Sequence, residues 1–339
     1  MHRVSRRQFT LGLVAASALA ASGGLAVRLR PGERAIVIGG GPAGAEAALA
    51  LRAASPGARI LLVERDPGRL ADGAHDPAAA AFVRPRAEAG LAALKAAGIQ
   101  VVLDDVVDID WSAARLALFS NRQLAFDRLL LAPGTAPRDE SIPGLDAMAR
   151  HVWPAAWGSP REARRLAAQL AALPDRGHVV LRLPADVSHP QAAVARAAAL
   201  AHHLAANRPD ARLTVIDASA TDDLARAFAQ TAAPQGLRWL TAAQGGVVQA
   251  IDAPRGLIET AAGRLKADVV NFVPPLWAGA IARTAGLADD SGWCPCDDRG
   301  RSSLRDGALV LGDARKAALR TVGGALCSAR IAAKGTATA

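Results

Sequence analysis

The sequence predicts an α/β protein in which one parallel-sheet unit occurs twice, and three observations carry that prediction. Residues 35–64 run as an apolar strand, a glycine-rich turn, an alanine-rich helix and a second apolar strand. The same order of elements recurs from His178 onward, each time with three short strands before a closing strand. The two closing stretches, "FDRLLLAPG" and "ADVVNFVPP", share a form: an Asp, a buried strand and a proline exit. The expectation is two Rossmann-like domains of the dinucleotide-binding kind, the first discontinuous: 33–150 plus 277–339, with 151–276 as the second.

The chain opens on "MHRVSRRQFTLGLVAASALAASGG". Arg6-Arg7 precedes a short apolar run from Phe9 to Ala21, with small Ala18 and Ala20 placed for cleavage. Residues 1–25 read as a twin-arginine export signal, the kind used by proteins that fold before export. A membrane anchor would result only if this segment were retained, and its run is short for a span.

In the first unit, Ala35–Ile38 leads into Gly39-Gly40-Gly41-Pro42-Ala43-Gly44. Gly39 permits the tight turn, Gly41 lets the backbone approach a pyrophosphate, and Gly44 lets the helix pack on the strand. The free N–H groups and dipole of that helix start favour an anion, with Pro42 and Ala43 in its first turn. Glu64, twenty residues after Gly44, ends the second strand where a carboxylate accepts hydrogen bonds from a ribose; its charge disfavours a 2′-phosphate. A helix is expected from about Arg86 to Ala97, then "IQVVL", short strands near Val106, Leu116 and Leu124, and "FDRLLLAPGT".

The second unit has a strand (His178–Leu183), a helix (Ala192–Asn207) and the strand "RLTVIDAS". Its first turn is "LPADVSHP", without glycine, so a nicotinamide dinucleotide lacks the backbone approach that Gly41 offers in the first unit. His189, beside Ser188 and Pro190 at a helix start, reads as a local cap or surface residue. His202 and His203 are consecutive on a helix, face different ways and form no metal pair. Short strands are expected at about 247–251, 257–260 and 264–266. The last stretch, "DGALVLGDARKAA" with a helix from about Gly324 to Lys334, supplies a strand and helix for the first sheet. Gly312-Asp313 at that strand's end points to FAD, because an Asp there accepts hydrogen bonds from ribityl hydroxyls.

Composition narrows the partners. Aromatic residues are 4% of the chain with no Tyr, so surfaces for stacking bases are scarce. The net charge of +9 is scattered rather than clustered, which suits solubility or an acidic partner protein and gives no sign of nucleic-acid binding. The three cysteines, Cys294, Cys296 and Cys327, read as structural, and no metal site is expected.

Several stretches resemble the flavoprotein subunit of flavocytochrome c sulfide dehydrogenase, within the flavoprotein disulfide reductase superfamily. They are "IVIGGGPAGAEAA", "LAALKAAGIQVVLDDVVDID", "LLLAPGTAP", "VIDAS", "LVLGDA" and above all "ADVVNFVPPLWAGAIARTAGLADDSGWCPCD". The resemblance spans about residues 33–333. It implies FAD along the first domain: Gly39, Gly41 and Gly44 at the pyrophosphate, Glu64 at the ribose and backbone near Val106 at the adenine. Ala132, Pro133 and Gly134 would lie on the flavin side, Asp313 after Gly312 would hold the ribityl chain, and the helix near Gly324 would point its N-terminus at the isoalloxazine. It also implies oxidation of a sulfur compound in the periplasm, with electrons passed to a c-type cytochrome or another electron-transfer protein.

The departures are chemical. The family links its flavin through a cysteine in the loop after the second strand, and this chain has "GRLADGAHD" there. The family's first redox cysteine falls at or beside His189, and its C-terminal extension, which carries the second, has no counterpart after the closing helix. The FAD is therefore expected to be non-covalent, and no catalytic residue is assigned. A non-catalytic, partner-binding flavoprotein descended from such an enzyme is the alternative expectation.

Overall fold

The computed structural model describes residues 29–70, 82 and 90–335. The expected signal at 1–25 and residues 71–81 and 83–89 lie outside the described residues.

The first sheet forms where apolar runs have both faces covered. Its strands are β1 (Arg34–Ile38), β2 (Arg59–Glu64), β3 (Gln100–Leu103), β7 (Arg128–Leu131) and β17 (Ala308–Val310), all parallel in the order β17-β7-β1-β2-β3. Such near-continuous runs, as in "RILLVE", are what a parallel sheet between two layers requires. Helix α1 (Pro42–Ala54) and the last helix, α8 (Val322–Gly335), share one face. Their facing residues are alanines, among them Ala43, Ala47, Ala48, Ala325, Ala329 and Ala332, so the backbones approach closely. The other face is covered by the meander β4 (Val106–Asp110), β5 (Arg115–Leu118) and β6 (Gln123–Ala125), together with residues 276–294. Helix α2 (Leu91–Ala96) begins later than the expected start near Arg86, because Gly90 is its extended N-cap; residues 83–89 lie outside the described range.

Between the two sheets run β8 (Thr135–Pro137), α3 (Ala147–Val152) and α4 (Pro160–Ala171). The second sheet is β9 (His178–Leu183), β10 (Arg212–Asp217), β11 (Arg238–Leu240) and β15 (Val269–Phe272), again parallel, in the order β11-β10-β9-β15. One face carries α4, α5 (Pro190–Asn207) and α6 (Asp223–Ala229). The other carries the meander β12 (Val248–Asp252), β13 (Leu257–Thr260) and β14 (Gly263–Lys266) with α3. Helix α4 was not anticipated, although its signal is local: Ser159 Oγ accepts from Glu162 N (3.3 Å) and Pro160 occupies the first turn. The chain returns to the first sheet through β16 (Leu276–Ala278), antiparallel to β8, and α7 (Ala280–Thr284). Among the described residues no helix is long and apolar enough to cross a membrane.

Strand β9 is buried throughout, although His178 and Arg182 lie in it. Arg182 donates two hydrogen bonds to Glu140 (2.7 and 2.5 Å) and one to Val273 O (2.8 Å), and its guanidinium lies 4.6 Å above the Phe272 ring centre. His178 bonds Lys266 O through Nδ1 and Thr214 Oγ1 through Nε2, both at 2.8 Å. Burial pushes its pKa below the usual 6.5. The unfolded chain therefore binds a proton that the folded chain refuses, so stability at neutral pH is lost as pH falls below 6.5 toward the lowered folded value. Urea midpoints measured from pH 7.5 to 5 are expected to fall, and to fall less in a His178→Gln variant. Equal slopes in the two proteins would remove His178 from the account.

Candidate functional site: a cavity at the strand ends of the first sheet

A cavity of about 470 Å³ opens at the C-terminal ends of the first sheet's strands, where α/β sheets bind ligands. Its walls come from the β1–α1 turn (Gly39, Gly41, Pro42, Ala43), the end of β2 (Glu64), the start of β4 (Val106) and the segment Ala132–Ala136. Gly312 and Asp313 complete that side. Opposite stand Trp157 and Gly158 from the inter-unit segment, then Gly279, Ala280 and Thr284 around α7.

Two glycines shape the turn through close backbone approaches. Gly39 has φ +98°, and a Cβ there would fall 2.2 Å from Ala132 O. A Cβ at Gly44 would fall 1.8 Å from Gly39 O, and Gly44 itself does not line the cavity. Helix α1 starts at Gly41 with no side-chain cap and no acid in its first turn. Its free N–H groups thus lack a competing carboxylate. Arg69, which sequence reasoning passed over, brings its guanidinium within 3.7 Å of where a Gly41 methyl would sit and lines the same wall. Glu64 is buried; one carboxylate oxygen accepts from Gly40 N (2.5 Å) and the other from Asp66 N (2.8 Å). Each oxygen keeps a second acceptor direction for ribose hydroxyls.

On the far side, Gly312 and Asp313 form a 3₁₀ turn after β17. Gly312 N donates to Ser328 Oγ on α8 (2.9 Å), and Arg320 donates to Asp313 O (3.1 Å) while lying 3.7 Å from the Trp293 ring centre. Burial lowers the Arg320 pKa, opposed by the charges of Asp313 and Asp186. Helix α8 begins at Val322, two residues before the expected Gly324, whose N–H donates to Thr321 Oγ1 (3.0 Å). Gly324 is off the cavity; Thr321, Val322 and Ala325 line it instead.

His189 corrects the sequence expectation. It is 1% exposed, makes no side-chain cap, and aims Nε2 at Asp313 (3.2 Å). A partner 124 residues away is invisible to local reading. The cysteines lie elsewhere: Cys294 is buried, Cys296 half-buried and Cys327 exposed. Burial pushes the Cys294 thiol up to about 12 and Cys296 up to about 11, so neither is a thiolate at neutral pH. Among the described residues no group of His, Cys, Asp and Glu could hold a metal ion.

The second sheet's equivalent of Glu64 is Asp217, at the end of β10. It is fully buried and already committed: Oδ1 accepts from the N–H and hydroxyl of Ser219 (2.9 and 2.5 Å), and Oδ2 from Trp239 Nε1 (3.1 Å). A second dinucleotide therefore meets no glycine turn in this unit, and the strand-end acid there is fully buried.

One parallel sheet with a glycine turn and a strand-end acid, followed by a second parallel sheet without that turn, defines a two-unit α/β protein of the dinucleotide-binding kind. Residues 33–161 match the family described as pyridine nucleotide-disulphide oxidoreductase, and residues 163–274 match the central part of the sulfide dehydrogenase (flavocytochrome c) flavoprotein chain. The resemblance read from the sequence therefore stands, and FAD is the cofactor that this family implies.

Solved structures agree in fold. The NAD-dependent persulfide reductase from A. fulgidus superposes with a TM-score of 0.69 at 20% identity, over 90% of this chain and 59% of its own. For the sulfide:quinone oxidoreductase from Aquifex aeolicus the values are 0.65, 18%, 90% and 76%. For putidaredoxin reductase in its covalent complex with putidaredoxin they are 0.67, 21%, 89% and 74%. The chain thus spans less than two thirds of the persulfide reductase's length. At these identities the likeness establishes the fold.

The cavity fits FAD on its own evidence, through the uncapped α1 start beside Arg69 and the Glu64 carboxylate. Gly41, Pro42 and Ala43 would meet the diphosphate, Glu64 the ribose, and Asp313 the ribityl chain.

Proposed function

We propose that this chain is a periplasmic FAD-dependent oxidoreductase of the sulfide dehydrogenase type, taking electrons from a reduced sulfur compound and passing them to a c-type cytochrome. The observation that carries this reading is the family match over residues 163–274, the unit in which a nicotinamide site would otherwise be sought. In that unit the first turn lacks glycine and Asp217 is locked by Ser219 and Trp239. The Arg6-Arg7 segment supports export, and the positive net charge suits an acidic electron-transfer partner. FAD, when bound, accepts two electrons from the donor and releases them singly to the acceptor. The protein's part is to hold that group: the α1 start and Arg69 neutralise the diphosphate, and the Trp157–Gly158 segment covers the cavity's far side.

The protonated, displaced cysteines favour a second reading, a flavoprotein that binds a partner without turning over sulfide. One experiment separates the two. Under anaerobic conditions sulfide is expected to bleach the flavin absorbance of the exported protein, and added c-type cytochrome is expected to be reduced in turn. NADH is expected to leave the spectrum unchanged. A flavin inert to sulfide supports the second reading, and bleaching by NADH overturns both.

A further inference from the structure

The turn between β9 and α5 carries neither glycine nor cysteine, yet it makes a buried polar contact with the first unit. His189 Nδ1 lies 2.8 Å from Ser188 Oγ, and Nε2 lies 3.2 Å from Asp313 Oδ2. The imidazole is 1% exposed, whereas Asp313 lines the cavity. The edge of the Trp157 ring system, also on the cavity wall, packs against it at 6.1 Å between centroids and 76° between planes.

The chemistry of the pair sets the proton's place. An aspartate only accepts, so Nε2 carries hydrogen and donates to it. In the neutral ring Nδ1 then accepts from the Ser188 hydroxyl, and in the cation it donates to the same oxygen. Either way both nitrogens are engaged, and the ring is held between Trp157 and the start of α5. His189 is too enclosed to meet a substrate, so its effect passes through Asp313.

We propose that His189 is a positioning residue for the flavin site: its Nε2–H holds the Asp313 carboxylate in the orientation that receives the polyhydroxyl chain of FAD. The second unit, which lacks its own dinucleotide turn, thereby contributes to cofactor binding in the first. An aspartate fixed before the ligand arrives has less rotamer freedom to lose on binding. The proposal rests on the reading of Asp313 as a residue that meets FAD.

The test is the dissociation constant of FAD, followed by flavin fluorescence on apoprotein, in four single variants and one double. His189→Leu and Asp313→Asn are each expected to weaken FAD about tenfold or more, and the double variant little more than either alone. His189→Gln places an amide N–H the same number of bonds from Cβ as Nε2 and is expected to stay within about threefold of the parent protein. His189→Asn is one bond too short and is expected to behave like His189→Leu. The Gln and Asn pair carries the test even if the leucine variant does not fold, because both are polar and of modest volume. A merely structural role would lower the thermal stability of both and leave their FAD affinities alike, which overturns the proposal. So does full affinity in His189→Leu while Asp313→Asn is weakened. If Asp313→Asn binds FAD as well as the parent, the reading of Asp313 falls as well.

Discussion

Replacing Arg196 by methionine is expected to cost the folded protein about 3 kcal/mol or more, the sum of several buried acceptors left without donors. Arg196 lies on α5, is buried, and donates to Asn271 Oδ1 (2.8 Å), Phe82 O (2.7 Å) and Ala156 O (2.7 Å). Asn271 in turn donates to Pro154 O and Ala155 O (2.8 and 2.7 Å). Together they pin residues 154–156, the backbone just before Trp157, whose ring centre lies 5.4 Å from the guanidinium. Burial lowers the Arg196 pKa to about 10, so the charge persists at neutral pH and is spread over those carbonyls.

Methionine keeps much of the volume and removes every donor. Urea unfolding should show the loss directly, and FAD affinity should fall with it because Trp157 and Gly158 line the cavity. Arg196→Lys is expected to recover only part, since an ammonium cannot fork to acceptors on both sides. An unchanged midpoint in Arg196→Met would show that water replaces the guanidinium at no cost.

Gly44→Ala is expected to yield colourless protein of lowered stability. The added methyl would sit 1.8 Å from Gly39 O, a backbone atom that cannot move without opening the turn. Overpacking of this kind costs about 1–3 kcal/mol where side chains can give way, and more where only backbone can. Gly41→Ala is the matched comparison, because its methyl meets nothing nearer than the Arg69 guanidinium at 3.7 Å. That variant should fold as the parent does and lose FAD affinity by roughly tenfold, as the methyl occupies space a diphosphate needs. If both variants keep the flavin, the β1–α1 turn is not its phosphate site.

These two cases mark how far the sequence was legible. The Gly39–Gly44 turn and Glu64 could be read in place because their signal lies within one strand–helix–strand unit. That Ala132, Pro133 and Gly134 would lie on the flavin side was implied by the family resemblance, and all three line the cavity. The last helix starts two residues before the expected Gly324, since Thr321 caps it and moves the start to Val322. Arg69 and Trp157 carried no pattern of their own, and nothing local distinguishes a cavity-lining arginine or tryptophan from one on the surface.

The sequence by itself determined the two parallel sheets, the glycine turn and the absence of a thiol at the second unit's turn. Apolar runs, turn residues and residue types act through neighbours in the chain, so they survive in one dimension. Only the tertiary structure decided that His189 is buried on Asp313, that Asp217 is held by Trp239, and that Arg196 braces the segment before Trp157. Each of these is a polar side chain whose meaning depends on what packs over it. Its partners come from distant parts of the chain, and only folding brings them within hydrogen-bond reach.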